Sequence, residues 1–180
     1  MIRFLLLFCL TICFQQINAQ TYTTRKTTSK KALKAYDAGR KSAKVGDFDK
    51  AIKFYNRALK EDPNFIDAKA QIANCKLDNK DYTGAKADFR AIIQTAPNYS
   101  KNIYYTMAIA DWNAKNYEDA VASFEIYLSK ETKNEGRIIK AKQYIVNGKF
   151  AANATKNPVP YNPERLSDNI NTPDAQEYLP

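Results

Sequence analysis

The chain contains no histidine. That removes the commonest general base and the commonest metal ligand, and with them any Ser-His-Asp or Cys-His nucleophilic site. Glycine is scarce, five in 180 residues, which favours helices over tight-turned sheets. Cysteine is scarce too, and two of the three, Cys9 and Cys13, fall in an apolar N-terminal run. Without that run only Cys75 remains. A single cysteine forms no internal disulfide, so the fold must rest on its core, and Cys75 reads as a buried structural thiol. Acidic residues are outnumbered 19 to 28, for a formal charge of +9 at pH 7. Such an excess attracts anionic partners, whether nucleic acid, acidic lipid, lipopolysaccharide or acidic protein, without selecting one.

The N-terminus has the layout of a secretory signal. Arg3 supplies the positive start, residues 4–14 the apolar run, and residues 15–19 a polar stretch ending in the small Ala19. A run of eleven residues falls short of the roughly 20 needed to cross a bilayer. Cleavage is expected after Ala19. Lipidation at Cys13 is the alternative, disfavoured because the preceding Ile12 is not small.

An internal repeat decides the rest. Gly39, Ala73 and Ala108 are each followed twelve residues later by Ala51, Ala85 and Ala120, and four residues after that by Tyr55, Phe89 and Phe124. Pro63 and Pro97 follow eight residues further on in the first two copies. The phrase Gly46-Asp47-Phe48-Asp49-Lys50-Ala51 is echoed at 80–85 and at 115–120. Each unit makes sense as a helical hairpin. Small residues let two helices approach, an aromatic one turn on fills the layer, and proline ends the second helix. Asp47, Asp81 and Asn116 are placed to cap the second helices. First helices are expected near 31–45, 66–79 and 100–114, and second helices near 48–61, 82–95 and 117–130. A seventh helix, about 135–153, carries Ile138, Ile139, Tyr144, Ile145 and Phe150 as an apolar stripe to cover the last open face.

This spacing resembles the tetratricopeptide repeat family over residues 32 to about 131. The resemblance implies an all-α, right-handed helical solenoid of three hairpins plus a capping helix, followed by an extended tail. It departs from the family at Ala35 and Lys69, where the first helix usually has a large residue. Ile92 and Tyr127 replace the late alanine held by Ala58, and Thr132 replaces the third proline. The expected division is a signal at 1–19, a polar linker at 20–30, the repeat domain at 31–153 and an extended linker at 154–180.

From Asn157 three prolines exclude helix, and Asn157-Pro158-Val159-Pro160 reads as polyproline-like linker. With Asn169-Ile170-Asn171-Thr172 and Glu177-Tyr178-Leu179-Pro180, this tail is similar to a junction in OmpA-like envelope proteins of the Bacteroidota. There a signal and tetratricopeptide repeats lead into a beta-propeller and often an OmpA-like peptidoglycan-binding domain. Some members are linked to type IX secretion. This sequence stops where the propeller would begin, so peptidoglycan binding transfers to no residue here. The chain reads as a truncated member or as a lone repeat module.

In tetratricopeptide arrays the first helices line a concave surface. By position that surface carries Leu33, Tyr36, Arg40 and Lys44, then Asp67, Ala70, Asn74 and Asp78, then Asn102, Tyr105, Ile109 and Trp112. Tyr36, Arg40, Lys44, Asn74, Asn102, Tyr105 and Trp112 are the partner-groove candidates, because aromatics beside Arg and Asn suit an extended peptide. The competing reading is that Tyr36, Tyr105 and Trp112 only cover the layer below. The family's chaperone-tail clamp needs Lys, Asn and Arg where this groove has acids and Ala, so that function does not transfer. A basic stretch, Arg25, Lys26, Lys30, Lys31, Lys34, Arg40, Lys41 and Lys44 with Asp37, is either a site for an anionic ligand or a solvated face. No catalytic, metal or cofactor set emerges. The expected role is a non-catalytic, protein-binding scaffold of the bacterial envelope, periplasmic or outer-membrane-associated. Nucleic acid is not an expected partner of an exported chain. The alternative is a binder of lipopolysaccharide, acidic lipid or glycan.

Overall fold

Caps at Ser29, Asp47, Asp81 and Asn134 start four of the helices in the computed structural model, which describes residues 22–159. Among the described residues seven helices follow in order: α1 Lys30–Lys44, α2 Phe48–Glu61, α3 Ile66–Asp78, α4 Tyr82–Thr95, α5 Asn102–Asn113, α6 Tyr117–Lys130 and α7 Glu135–Lys156. Each packs on the next in the chain, and α3 also touches α5. The result is three helical hairpins and a closing helix stacked as a solenoid. Apart from one isolated bridge, no β-structure occurs among the described residues. The expected signal at 1–19 and the tail from Pro160 lie outside them.

The turn inside each hairpin is the same device three times. Gly46, Lys80 and Lys115 occupy the left-handed region, with φ of 80°, 64° and 62°. Each lets the following amide reach back to the helix just ended: Asp47 to Ser42, Asp81 to Lys76 and Asn116 to Asp111. Asp47 and Asp81 then cap α2 and α4 by accepting the amides of Lys50 and Gly84. Asn116 holds the equivalent place before α6, but its side chain accepts no such bond. The expectation of a third cap there is corrected.

The nesting contact is tight. A β-carbon added to Gly39 would lie 2.6 Å from the Tyr55 ring, so nothing larger than hydrogen fits. Ala73 and Ala108 hold the equivalent places with no exposure, as do Ala51, Ala85 and Ala120 on the facing helices. Tyr55, Phe89 and Phe124 fill the layers between, each at most 1% exposed. One buried cluster joins repeat one to a face of α3 through Ala68, Ile72 and Cys75. A second joins the other face of α3, through Ile66, Ala70 and Ala73, to repeats two and three and α7. Cys75 is buried, and burial pushes its thiol up to about 11, which makes it a packing group and not a nucleophile.

Ion pairs join repeats two and three. Lys86 on α4 reaches Asp111 on α5, which is 1% exposed, and Asp119 on α6 at 2.6 Å. Burial opposes the charge on Asp111, and the Lys86 ammonium is what compensates it. The pair thus locks three helices by a contact that is costly to leave half-made.

Helix α7 departs from expectation in two ways. Its apolar residues do not form one stripe. Ala141, Tyr144, Ile145 and Gly148 pack inward, Ile138 is half-buried, and Ile139 and Phe150 are 65% and 76% exposed on the opposite side. Gly148 allows the approach, since a β-carbon there would meet Val121 at 2.7 Å. The helix also continues through Ala154, Thr155 and Lys156, three residues assigned above to the linker. Nothing in that stretch breaks a helix before Pro158, and Lys156 pairs with Glu118 on α6.

Two substitutions test this packing by urea unfolding. Phe89→Ala should cost about 3–5 kcal/mol, the price of an empty ring site in the central layer. Lys86→Met strands Asp111 and should cost about 3–5 kcal/mol, while Lys86→Met with Asp111→Leu should recover most of it.

Candidate functional site: the groove across the first helices

The groove candidates separate into two groups. At one end the Tyr36 ring is buried, 5.5 Å from Tyr55 and 5.0 Å from Phe65. Arg40 is exposed and lies 3.9 Å from Asp37. Lys44 is exposed in the last turn of α1, and Asn74 is half-buried on α3. At the other end Asn102 opens α5, and its Oδ1 accepts Nη1 of Arg137 at 2.9 Å. The Arg137 guanidinium also lies 5.3 Å over the Tyr105 ring. Tyr105 itself packs edge-on against Phe124 and Tyr127. Trp112 packs edge-on against Tyr117 and Tyr144 at 5.2 and 4.9 Å. The three aromatic candidates therefore all carry packing between layers. The polar ones, Arg40, Lys44, Asn74 and Asn102, leave atoms available to a guest.

The polar stretch preceding α1, expected as a linker at 20–30, is tied to the helices from residue 22 on. Residues 22–27 lie as a strap across the first helices. Thr23 forms a parallel bridge with Phe65, donating its amide to the Asn64 carbonyl and accepting the Ile66 amide, both at 2.8 Å. The Arg25 amide donates to Asp67 Oδ2 at 2.7 Å. Its guanidinium lies 5.7 Å over the Tyr36 ring and 3.5 Å from Asp37. Tyr22 meets Tyr99 edge-on at 6.0 Å, and the Tyr99 hydroxyl donates to the other oxygen of Asp67. Burial, then this bond, raises the Tyr99 phenol far above its ordinary value. The strap thus touches the middle of α1, the start of α3 and the turn before α5, and it uses two predicted groove positions, Tyr36 and Asp67.

Its anchor is an acid at the end of a second helix. Asp62 Oδ2 accepts the hydroxyls of Thr23 at 2.5 Å and Thr27 at 2.7 Å, while Oδ1 accepts the Asn64 amide at 3.0 Å. Burial opposes its charge, but these bonds prevail and hold the carboxyl below its usual range. Glu131 holds the equivalent position two repeats on. It accepts Lys101 Nζ at 2.8 Å and the amides of Lys133 and Asn134, and these hold it at about 2. This clamp stands where the third proline is missing, and it starts α7. Sequence reading missed Tyr22, Asp62, Tyr99, Glu131 and Arg137. The one available signal was the acid recurring at 62 and 131 before Pro63 and Thr132.

The strap is weakly held. Its two bridge hydrogen bonds contribute about 0.5–1.5 kcal/mol each, its three hydrogen bonds to the Asp62 and Asp67 carboxylates about 1.5–3 each, and its exposed ion pair about 0–1. Ordering its backbone costs about 1–2 kcal/mol per residue. These terms nearly cancel, which puts the strap at the low-stability end of the molecule.

Chemically the groove offers amides, carboxylates, guanidinium groups and aromatic edges. Among the described residues there is no cluster of three or more His, Cys, Asp or Glu able to hold a metal. Nor is any helix among them long and apolar enough to cross a membrane.

Comparison with known proteins agrees with this geometry. Residues 43–87 match the tetratricopeptide repeat family. The first such domain of human RPAP3 superposes with a TM-score of 0.62 at 22% identity, over 72% of this chain and 98% of that one. The first such repeat domain of Spaghetti (RPAP3), bound to an HSP90 peptide, gives 0.61 at 23%, over 70% and 96%. The TPR2B domain of yeast Sti1, in complex with pHsp70, gives 0.60 at 21%, over 67% and 98%. A search of curated proteins finds no match. The chain is a tetratricopeptide-type helical solenoid, the class of fold these neighbours share, and it carries a tetratricopeptide repeat in its own sequence.

The two acid clamps predict a pH response. Both carboxyls titrate lower in the folded chain, so their stabilisation is complete above an unfolded value of about 4 and is lost as pH falls through their folded values, about 2 for Glu131. Thermal unfolding should show a drop in Tm over that window, and Glu131→Gln should flatten part of it.

Proposed function

We propose that the chain is a non-catalytic scaffold that holds a partner polypeptide in the groove of its solenoid. The observation that carries this is the fold's likeness to domains solved with peptides bound, those of Spaghetti and yeast Sti1. A row of first helices presenting Arg40, Lys44, Asn74 and Asn102 suits main-chain and side-chain recognition of an extended segment. The chaperone peptides of those neighbours are not the partners proposed here. This groove has acids and Ala, among them Asp67 and Ala70, at places where a clamp for an acidic tail would need Lys, Asn and Arg. The envelope setting belongs to the same reading and rests on the signal-like residues 1–19 and the tail from Asn157. In that setting the scaffold holds its partner in the periplasm, near the outer membrane.

A second reading is favoured by one feature. Lys31, Lys34 and Arg57 line a cleft of about 250 Å³ between α1 and α2, with Phe54 at its wall and Glu61 at its rim. Such a cleft suits an anionic head group, bound by charge and lost with salt.

The test is affinity capture from envelope extract, comparing the natural chain with Arg40→Glu/Asn74→Arg. The natural chain should retain a polypeptide partner at both low and high salt, and the variant, with unchanged helix content, should retain about tenfold less. Recovery of no polypeptide would overturn the scaffold reading. Retention only of anionic lipid or glycan, released by salt, would establish the second.

A further inference from the structure

The strap shows what the groove binds. Between Tyr22 and Arg25 the chain makes every kind of contact expected of a bound extended peptide. It has paired backbone at Thr23 and an aromatic edge on Tyr99. It has a cation over Tyr36 and against Asp37, and an amide on Asp67. A turn closed by the Thr27 amide on the Thr24 carbonyl then releases the chain toward α1. We propose that residues 22–27 are the groove's own occupant. The segment that fits in their place is an extended polypeptide carrying an aromatic residue and, three positions later, an arginine. This inference rests on the scaffold reading and adds to it the chemistry of the partner and a competitor already in place.

The chemistry is selective at both ends. Asp37 and Asp67 stand beside the Arg25 position, so an acidic side chain there meets two carboxylates. Tyr36 presents its face to the cation, and a guanidinium satisfies face and carboxylate together as no apolar side chain does. Tethering matters as well. A segment joined to α1 through two residues competes at a local concentration that free peptides reach only in the millimolar range. An incoming partner must displace it, and weakening the strap must raise partner affinity.

The experiment uses the full chain labelled with nitrogen-15, alone and as Tyr22→Ala/Arg25→Ala. The probe is the capped peptide Tyr-Thr-Thr-Arg-Lys-Thr-Thr, identical to residues 22–28. The reporter is the Ile66 amide, which donates to the Thr23 carbonyl. In the double variant this signal should move. Peptide added to millimolar concentration should return it toward its natural position, while the same peptide with Ala for Tyr and Arg should leave it unmoved. The natural chain should respond at least about tenfold more weakly. Thr23→Pro, which removes both the amide given to Asn64 and the hydroxyl given to Asp62, should act in the same direction as the double variant. An Ile66 signal in both variants that no peptide shifts would overturn the proposal and make the strap a fixed part of the fold. Equal capture of an envelope partner by the natural chain and the double variant would overturn it too, while leaving the scaffold reading standing. Peptide binding as described with no envelope partner recovered would support it and remove only that reading.

Discussion

Close approach of two helices at a small residue is the constraint on which the other contacts depend. At Gly39 the facing Tyr55 ring leaves room for hydrogen alone. Ala73 and Ala108 repeat the arrangement with a methyl group. Once the hairpin closes to that distance, the aromatic one turn along has a single place to go, the layer between hairpins. The layers then stack, and each first helix of the interior is buried on two sides. Helix α3 shows the outcome: Ala68, Ile72 and Cys75 serve one cluster, and Ile66, Ala70 and Ala73 the other.

Polar contacts fix the order of the stack more than its strength. The Lys86 bridge to Asp111 and Asp119 crosses from repeat two to repeat three, and Lys101 likewise meets a buried carboxylate at Glu131. Asp62 and Glu131 perform a related task at the ends of second helices. One gathers the hydroxyls of the strap, the other the amides of Lys133 and Asn134 in the turn before α7. Proline at Pro63 stops a helix by lacking a donor. At the third junction, where Thr132 stands instead, the carboxylate of Glu131 orders the turn by accepting donors. The same geometric need is met by opposite chemistry.

The groove is narrower in function than a count of its side chains suggests. Tyr36, Tyr105 and Trp112 each lie against two other aromatic rings, so their first duty is to the layers. What remains toward a guest is largely polar, and part of it is already engaged by the protein's own chain. That suits a scaffold whose occupancy is set by competition, with an internal segment held by contacts weak enough to exchange.

Sequence alone determined the repeat, the pairing of helices and nearly every boundary. Those features follow from local rules: a small residue every 34 or 35 positions, an Asp or Asn before each second helix, and proline after the first two of those helices. Residues 48–61, 82–95 and 117–130 are helices as the pattern required. Only the tertiary structure decided which side of α7 faces inward. Ile138, Ile139, Tyr144, Ile145 and Phe150 are all apolar, and it is Gly148 and Ala141 that select the contact face. Only the tertiary structure brought Arg25 onto Tyr36 or Thr23 beside Phe65, about 40 positions away in the chain for the latter pair. Contacts between distant segments carry no periodicity, because they arise from where the stacked helices happen to end. A pattern within the chain can fix how each unit folds, but not what the folded units then catch.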